Sequence, residues 1–256
     1  MTQLEVEDLQ TSYPMPKGPI RAVDHVSFSL QNESIGIAGE SGCGKSTLGF
    51  SLLRLVPSPG MIQGGRIILD GTDLLSMPEE EHKRKIRWRE ISMVFQGAMN
   101  ALSPVYTVEH QLAEPIIYHA HSTKKEAREK AKELLEEIGL EPSVLRRYPH
   151  ELSGGMKQRV VIAMALILDP KVLIADEPTT ALDVIVQAQI INLLKKLKRE
   201  KSLSIVLITH DLSVISEIAD KVAVMYAGEI VEYGSSDAVY NSPKHPYTQK
   251  LLAAIP

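Results

Sequence analysis

One cysteine, Cys43, stands in a chain of 256 residues. No disulfide can form within the chain, and such usage suits a reducing compartment. No apolar run is long. The longest, Val160 to Leu168, is about half of the roughly 20 residues that a membrane-spanning helix needs. If the protein works at a membrane, another polypeptide must cross it. No sign of charge prevails either: 28 Lys and Arg face 32 Asp and Glu, a formal charge of −4. That balance gives no electrostatic reason to expect nucleic acid as a partner. Residues Met1 to Asp8 carry acids and no apolar core, unlike a secretory signal. There is no internal repeat or low-complexity segment. His25, His82, His110, His119, His121, His150 and His245 show no metal-ligand spacing with any cysteine.

What is present is 44% apolar, enough at this length to bury a sizeable core as one large domain or two smaller ones. Leu4 to Leu9 and Val23 to Leu30 alternate apolar and polar residues, the pattern of half-buried strands. Ile35-Gly36-Ile37-Ala38 is a short buried run that leads into a glycine loop. Arg66 to Leu69, followed by Asp70-Gly71, predicts a strand ending in a hairpin turn. Ser76-Met77-Pro78-Glu79 has capping-box spacing and predicts a charged helix through about Arg89. Ile91 to Phe95 predicts another buried strand.

From about residue 97 to 157 the character becomes helical. Thr123-Lys124-Lys125-Glu126 is a second capping box, ahead of Ala127, Ala131, Leu134, Leu135 and Ile138 on one helix face. Gly139 suits the residue just past the helix end. Strand signals return at Val172 to Ala175 and Ser204 to Ile208. Between them Asp183 to Lys201 predicts a helix with Ile190, Ile191, Leu194 and Leu197 inward. Val222 to Glu232, turning at Ala227-Gly228, predicts a final hairpin. Strands alternating with helices argue for a mostly parallel sheet.

Two motifs carry chemistry. Gly39-Glu40-Ser41-Gly42-Cys43-Gly44-Lys45-Ser46, followed by Thr47, fits the phosphate-loop pattern and lies between a strand and a helix as that pattern requires. Its backbone N–H groups are expected to surround a nucleotide β-phosphate, aided by the positive end of the helix. Lys45 is then placed to span the β- and γ-phosphates and the Ser46 hydroxyl to hold Mg²⁺. Cys43 is a small side chain at a free position of that loop. The second motif ends a buried strand: Asp176 follows four apolar residues, where it can bind Mg²⁺ through water. On a continuing strand Glu177 would point the other way. At the strand end it reaches the γ-phosphate, where a carboxylate can polarise an attacking water.

A third element is Leu152-Ser153-Gly154-Gly155-Met156, two glycines after a serine at a helix start, which form a second anion-binding end. One chain does not plausibly fold both phosphate sites around one nucleotide. With all three elements in order, the chain resembles, over essentially its whole length, the ATP-binding subunits of ABC transporters. The pentapeptide matches that family's signature Leu-Ser-Gly-Gly-Gln except at Met156. The resemblance implies an α/β fold with a P-loop (RecA-like) core, a mostly parallel sheet, an N-terminal antiparallel β part and an inserted α-helical subdomain. Residues 1–96 and 158–234 would form the ATP-binding core, 97–157 the inserted subdomain with the signature, and 235–256 a C-terminal segment.

Site residues follow by resemblance. Gln96 looks like the glutamine that touches Mg²⁺ and the attacking water and joins the two subdomains. Asp183, in Ala181-Leu182-Asp183, resembles the loop that crosses to the partner subunit, and it also suits the N-cap of the next helix. His210 resembles the switch histidine at the γ-phosphate. Tyr13 is the best candidate for the aromatic residue that stacks on adenine. Ser153, Gly154, Gly155 and Met156 would meet ATP held by a second subunit.

Three stretches narrow the resemblance: Phe95 to Val105, Leu152 to Val160, and Ser242-Pro243-Lys244-His245-Pro246-Tyr247-Thr248. They are similar to the oligopeptide/dipeptide importer branch, in which two different ATPase subunits commonly pair. A heterodimer in the assembled transporter is implied, with self-association of the isolated chain left open. Two membrane permease subunits and, indirectly, an extracellular substrate-binding protein are implied partners, at the cytoplasmic face of the membrane. Members of this branch often continue into a cysteine-bearing tail that holds an iron–sulfur cluster; the sequence after the His-Pro-Tyr segment runs to Ile255-Pro256 with no such cysteines, so no cluster is assigned. The branch also includes transporters of nickel and of oligosaccharides. Two rivals are a soluble ABC ATPase outside transport and a module that holds ATP without hydrolysing it. The first usually carries long coiled-coil insertions or two cassettes, which this sequence lacks. The second is disfavoured by the presence of both Glu177 and His210.

Overall fold

The structure, a computed structural model, describes residues 2–254. Met1, Ile255 and Pro256, which belong to the outer segments of the expected organisation, lie outside the described residues.

Two sheets face each other. In the first, β1 (Gln3–Tyr13) pairs antiparallel with β2 (Ile20–Gln31) and with the later β4 (Met61–Leu69), and β5 (Thr72–Asp73) lies along β4. The second sheet has the order β10-β9-β3-β8-β7-β6, formed by β3 (Ser34–Ala38), β6 (Ile91–Val94), β7 (Val172–Asp176), β8 (Ser204–Ile208), β9 (Lys221–Tyr226) and β10 (Glu229–Ser235). Its pairings are parallel except the β9–β10 hairpin. That hairpin turns at Ala227 and Gly228, both at positive φ.

Every residue of β3, β6, β7 and β8 is buried, which explains why they are mostly apolar, each with one polar residue: Ser34, Ser92, Asp176 and Ser204. The two-residue period divides their side chains between two cores. Ile35, Ile37, Ile174, Val206 and Ile208 pack with Leu4, Val6, Leu48 and Leu52 between the sheets. Leu173, Ala175, Ile205 and Leu207 pack on the opposite face against the helices.

Nine α-helices complete the described residues: α1 (Lys45–Leu52), α2 (Glu79–Lys85), α3 (Val108–Ala120), α4 (Lys124–Glu137), α5 (Gly154–Leu166), α6 (Val184–Lys201), α7 (Leu212–Ile218), α8 (Ser236–Asn241) and α9 (Pro246–Ala253). Helix α4 begins with both bonds of its capping box, Glu126 N to Thr123 Oγ1 and Thr123 N to Glu126 Oε2. Its expected inner face, including Ile138, is buried, and Gly139 follows at φ +74°. Asp183 caps α6, and its four expected inward residues are buried.

Helix α2 departs from expectation. No capping box forms at Ser76, whose hydroxyl instead donates to the Asp73 carbonyl. Pro78 occupies the cap position, which sets Ser76 too early to reach the first-turn amides. Three glutamates, Glu79, Glu80 and Glu81, lie in the first turn and complement the helix dipole. The helix stops at Lys85 rather than near Arg89, because Trp88 turns to φ +72° and its indole N–H reaches the Met164 carbonyl at 2.6 Å.

The region 97–157 holds α3, α4, three short 3₁₀ segments and the first turn of α5. The drawn boundary at 157/158 falls inside α5, which touches α3 and α4 as well as β6 and α6.

Candidate functional site

The phosphate loop leaves β3 at Ala38 and enters α1 at Lys45. Steric crowding dictates its glycines. Gly39 has φ +149° and Gly44 φ +111°, and an added Cβ would come within 2.3 Å of the Met225 carbonyl oxygen and 1.9 Å of the Ala22 carbonyl oxygen respectively. Gly44 is the N-cap of α1 and no side chain caps it, so the first amides of that helix are available to an anion. The Gly228 amide donates to the Cys43 carbonyl at 2.9 Å, fastening the β9–β10 turn to the loop. The Lys45 ammonium is buried and donates to the Gly39 and Glu40 carbonyls, each at 2.7 Å. Cys43 is buried, its sulfur 3.7 Å from that ammonium. Ser41 and Gly42 are exposed at the loop's tip, and Thr47 continues α1.

Asp176 ends β7 beside this loop and is 1% exposed. Burial pushes its carboxyl above the ordinary range, the Ser46 hydroxyl opposes that, and the neighbouring Glu177 charge adds to it. Its Oδ1 has no hydrogen-bond partner among the described residues. An orphaned buried carboxylate oxygen near a serine hydroxyl is a hard-oxygen donor set that suits Mg²⁺. Among the described residues no group of three or more His, Cys, Asp and Glu side chains could hold a metal. An ion here would therefore take its remaining ligands from phosphates and water.

Glu177 does not continue the strand. Its backbone turns to φ +46°, and its amide donates to Ile208 at the end of β8. The turn brings its carboxylate to three side chains. Gln96 Nε2 and Thr180 Oγ1 each donate to Oε2 at 2.8 Å, and His210 Nδ1 lies 3.0 Å from Oε1. Although burial pushes Glu177 upward, the bonds from His210 and Thr180 leave its carboxyl below the ordinary range. Gln96 follows β6, Asp176 ends β7, His210 follows β8 and the loop follows β3. All four gather at the carboxyl ends of parallel strands, the edge where open α/β sheets bind ligands. Thr180 was not anticipated; its signal is a hydroxyl three residues after Glu177, a turn-forming spacing.

The structure does not bring the signature to this cluster. Ser153 caps α5, accepting the Met156 amide at 3.3 Å. Gly154 faces Leu182, and a Cβ on Gly155 would meet Val186 at 2.7 Å. The segment thus packs against the loop containing Ala181 and Asp183 and the start of α6. Among the described residues, none of Ser153 to Met156 hydrogen-bonds to Lys45, Asp176, Glu177, Gln96 or His210. Val184 and Ile185, just past Asp183, are 80% and 73% exposed. Tyr13 ends β1, half-buried, with its ring against Gly60.

Behind Gln96 lies a groove of about 660 Å³ between α2, β6, α3 and α5. Leu53, Trp88, Phe95, Pro115, Tyr118 and Met164 are among its lining residues. Phe95, which directly precedes Gln96, stacks on Phe50 at 5.8 Å.

The chain has relatives among known proteins. The family profile described as "ABC transporter" matches residues 23–180, and "Oligopeptide/dipeptide transporter, C-terminal region" matches residues 231–256. The oligopeptide transport ATP-binding protein AppD of Bacillus subtilis is 49% identical over 100% of this chain and 79% of its own length. The dipeptide transport ATP-binding protein DppD of Escherichia coli is 46% identical over the same shares. Among solved structures, the dimeric post-hydrolysis state of the ATP-binding cassette MJ0796 with ADP and Pi superimposes with a TM-score of 0.78. It is 30% identical, covering 91% of this chain and 98% of that one.

Proposed function

The chain belongs to the ABC transporter family, and from that membership we propose that it is an ATP-hydrolysing subunit that powers import of di- or oligopeptides. The observation that carries the reading is the Glu177 carboxylate, held by Gln96, Thr180 and His210 at the strand edge that bears the phosphate loop.

The reaction is attack of water on the γ-phosphorus of ATP, with the bond to the bridging oxygen breaking and ADP leaving. Glu177, kept ionised by its partners, accepts a hydrogen bond from the water and aims it. His210 contacts the γ-phosphate and steadies the same carboxylate. The Lys45 ammonium turns its free donor, and at least one of those now on the Gly39 and Glu40 carbonyls, to β- and γ-phosphate oxygens, neutralising charge where it develops. Ser46, Gln96 and Asp176 are the residues that would hold Mg²⁺, which supplies further charge neutralisation at the phosphates. Backbone amides of the loop and of the first turn of α1, other than the Glu40 amide that donates to Tyr247, cradle the phosphates within Gly39 to Thr47, and Tyr13 stacks on adenine. Catalysis of this kind is mainly positioning and electrostatics.

A second subunit completes the site. Ser153, Gly154, Gly155 and Met156 of one subunit close over the γ-phosphate bound by the other, and Asp183 crosses the interface. Support comes from the packing of Gly154 and Gly155 against Leu182 and Val186, with no hydrogen bond to the phosphate-loop cluster among the described residues, and from the apolar exposure of Val184 and Ile185. Two nucleotides hold the pair together until hydrolysis releases it. In the transporter the other subunit is a different chain.

No helix among the described residues is long and apolar enough to cross a membrane; two permease subunits are proposed as partners from the family membership. The groove behind Gln96 suits a short amphipathic segment of the permease on the cytoplasmic side. A segment seated against Phe95 would sense the adjoining Gln96–Glu177 contact, and the inserted subdomain 97–157 would carry the motion. An extracellular binding protein delivers the cargo; the peptide reading rests on the relatives' names and the C-terminal profile. The test is ATP hydrolysis by the assembled complex in vesicles. Stimulation by peptide-loaded binding protein is expected; stimulation by nickel or an oligosaccharide instead would overturn the cargo, and no hydrolysis would overturn the enzyme.

A further inference from the structure

The Gly39–Glu40 peptide plane is gripped at both ends. Its carbonyl accepts from Lys45 at 2.7 Å, and its N–H donates to the phenol oxygen of Tyr247 at 3.1 Å, 207 residues away. The Lys45 ammonium has three donors and spends two on the Gly39 and Glu40 carbonyls, so reaching both β- and γ-phosphate oxygens takes at least one donor from those carbonyls, whereas the Tyr247 end of the plane makes no contact that phosphate must displace. We infer that Tyr247 is a positioning residue for the phosphate loop: it fixes the orientation of the first loop peptide from the C-terminal segment and thereby makes ATP affinity depend on that segment's docking.

The phenol is delivered by a rigid support. Glu232, in β10, accepts the amides of Lys244 and His245 at 2.7 and 3.0 Å. His245 then caps α9 by accepting the Tyr247 amide at 3.2 Å, and Pro246 sets the first helical φ. The Tyr247 ring packs on Tyr226 with centroids 4.7 Å apart. Tyr226 ends β9, the strand whose neighbouring Met225 carbonyl crowds Gly39 and whose following turn donates to Cys43. Burial raises the phenol above its ordinary pKa, so the acceptor is the neutral hydroxyl. His245, Pro246 and Tyr247 are the His-Pro-Tyr residues picked out in the sequence, and this geometry gives each a separate task.

The inference rests on the ATP-binding reading of the loop, and the test separates the two. Tyr247→Phe keeps the ring on Tyr226 and removes only the hydroxyl. In the full chain, titration with a fluorescent ATP analogue is expected to show about threefold to tenfold weaker binding, the scale of one neutral hydrogen bond. By linkage, ATP should slow amide hydrogen exchange in α9 of the parent and not of the variant. Tyr233→Phe, which loses a hydroxyl bonded to the Ser29 carbonyl, should change neither readout. Unchanged affinity in Tyr247→Phe, or α9 exchange indifferent to ATP in the parent, overturns the role of Tyr247. Lys45→Ala is the control for the loop: if it binds ATP as well as the parent, the ATP-binding reading itself fails.

Discussion

Gln96 and Glu177 stand 81 residues apart in the chain, yet the amide nitrogen of one lies 2.8 Å from a carboxylate oxygen of the other. The contact exists because β6 and β7 are neighbours in parallel register and because Glu177 turns left-handed as soon as its strand ends. It joins the groove side of the molecule to the carboxylate proposed to aim water.

Glu177→Gln keeps the shape of that side chain and removes its basicity. ATP binding should stay near the parent value while phosphate release falls by about 100-fold or more, the usual worth of a positioned base. Turnover equal to the parent would remove Glu177 from its role.

Thr180→Val deletes one donor to Glu177 and nothing in the phosphate loop. Steady-state assays should show kcat lowered about threefold to tenfold with KM little changed, since one hydrogen bond is lost from the reacting arrangement. A rise in KM at constant kcat would mean that Thr180 acts on binding instead.

How much of this was legible in the sequence varies with the physical cause. The phosphate loop was readable because Gly39 and Gly44 lie where no side chain fits. Strands β7 and β8 are readable as short strand signals at Val172 to Ala175 and Ser204 to Ile208, but which core each side chain enters is not. Helix α2 starts otherwise than the capping-box spacing predicts because Pro78, and not Ser76, takes the cap position. Glu177 is readable from its place at a strand end, whereas Gln96 and His210 come from resemblance, since strand order is not written in local periodicity. Thr180 and the Tyr247–Glu40 bond were missed because each depends on side-chain reach, in the second case across nearly the whole chain.

His82 offers a pH test of the fold. It is fully buried in α2 with neither ring nitrogen hydrogen-bonded among the described residues. Burial lowers its pKa from 6.5 to about 4, reinforced by the Arg54 and Arg87 charges and opposed by Glu79. The folded state therefore favours the neutral ring. Its contribution is complete above pH 6.5 and is lost as pH falls from 6.5 toward 4, by up to roughly 3 kcal/mol. Urea unfolding at pH 7.5 and 5 should show about 2 kcal/mol of that loss, and His82→Leu should reduce the difference. An undiminished difference in the variant would assign the pH dependence to other groups.

Ser153→Arg places a bulky cation at the cap of α5, on the surface proposed to cover a partner's nucleotide. The variant should bind ATP as the parent does. Cooperative hydrolysis and ATP-dependent pairing should both disappear. Normal pairing would argue that the signature is not at the interface.

The most direct measurement is a structure of the Glu177→Gln protein with its partner subunit, ATP and Mg²⁺. The account predicts that the Ser153, Gly154 and Gly155 positions of each signature lie within hydrogen-bonding reach, about 3 Å, of the γ-phosphate held by the opposite subunit. A closed, nucleotide-loaded pair with those residues far from both triphosphates would contradict it.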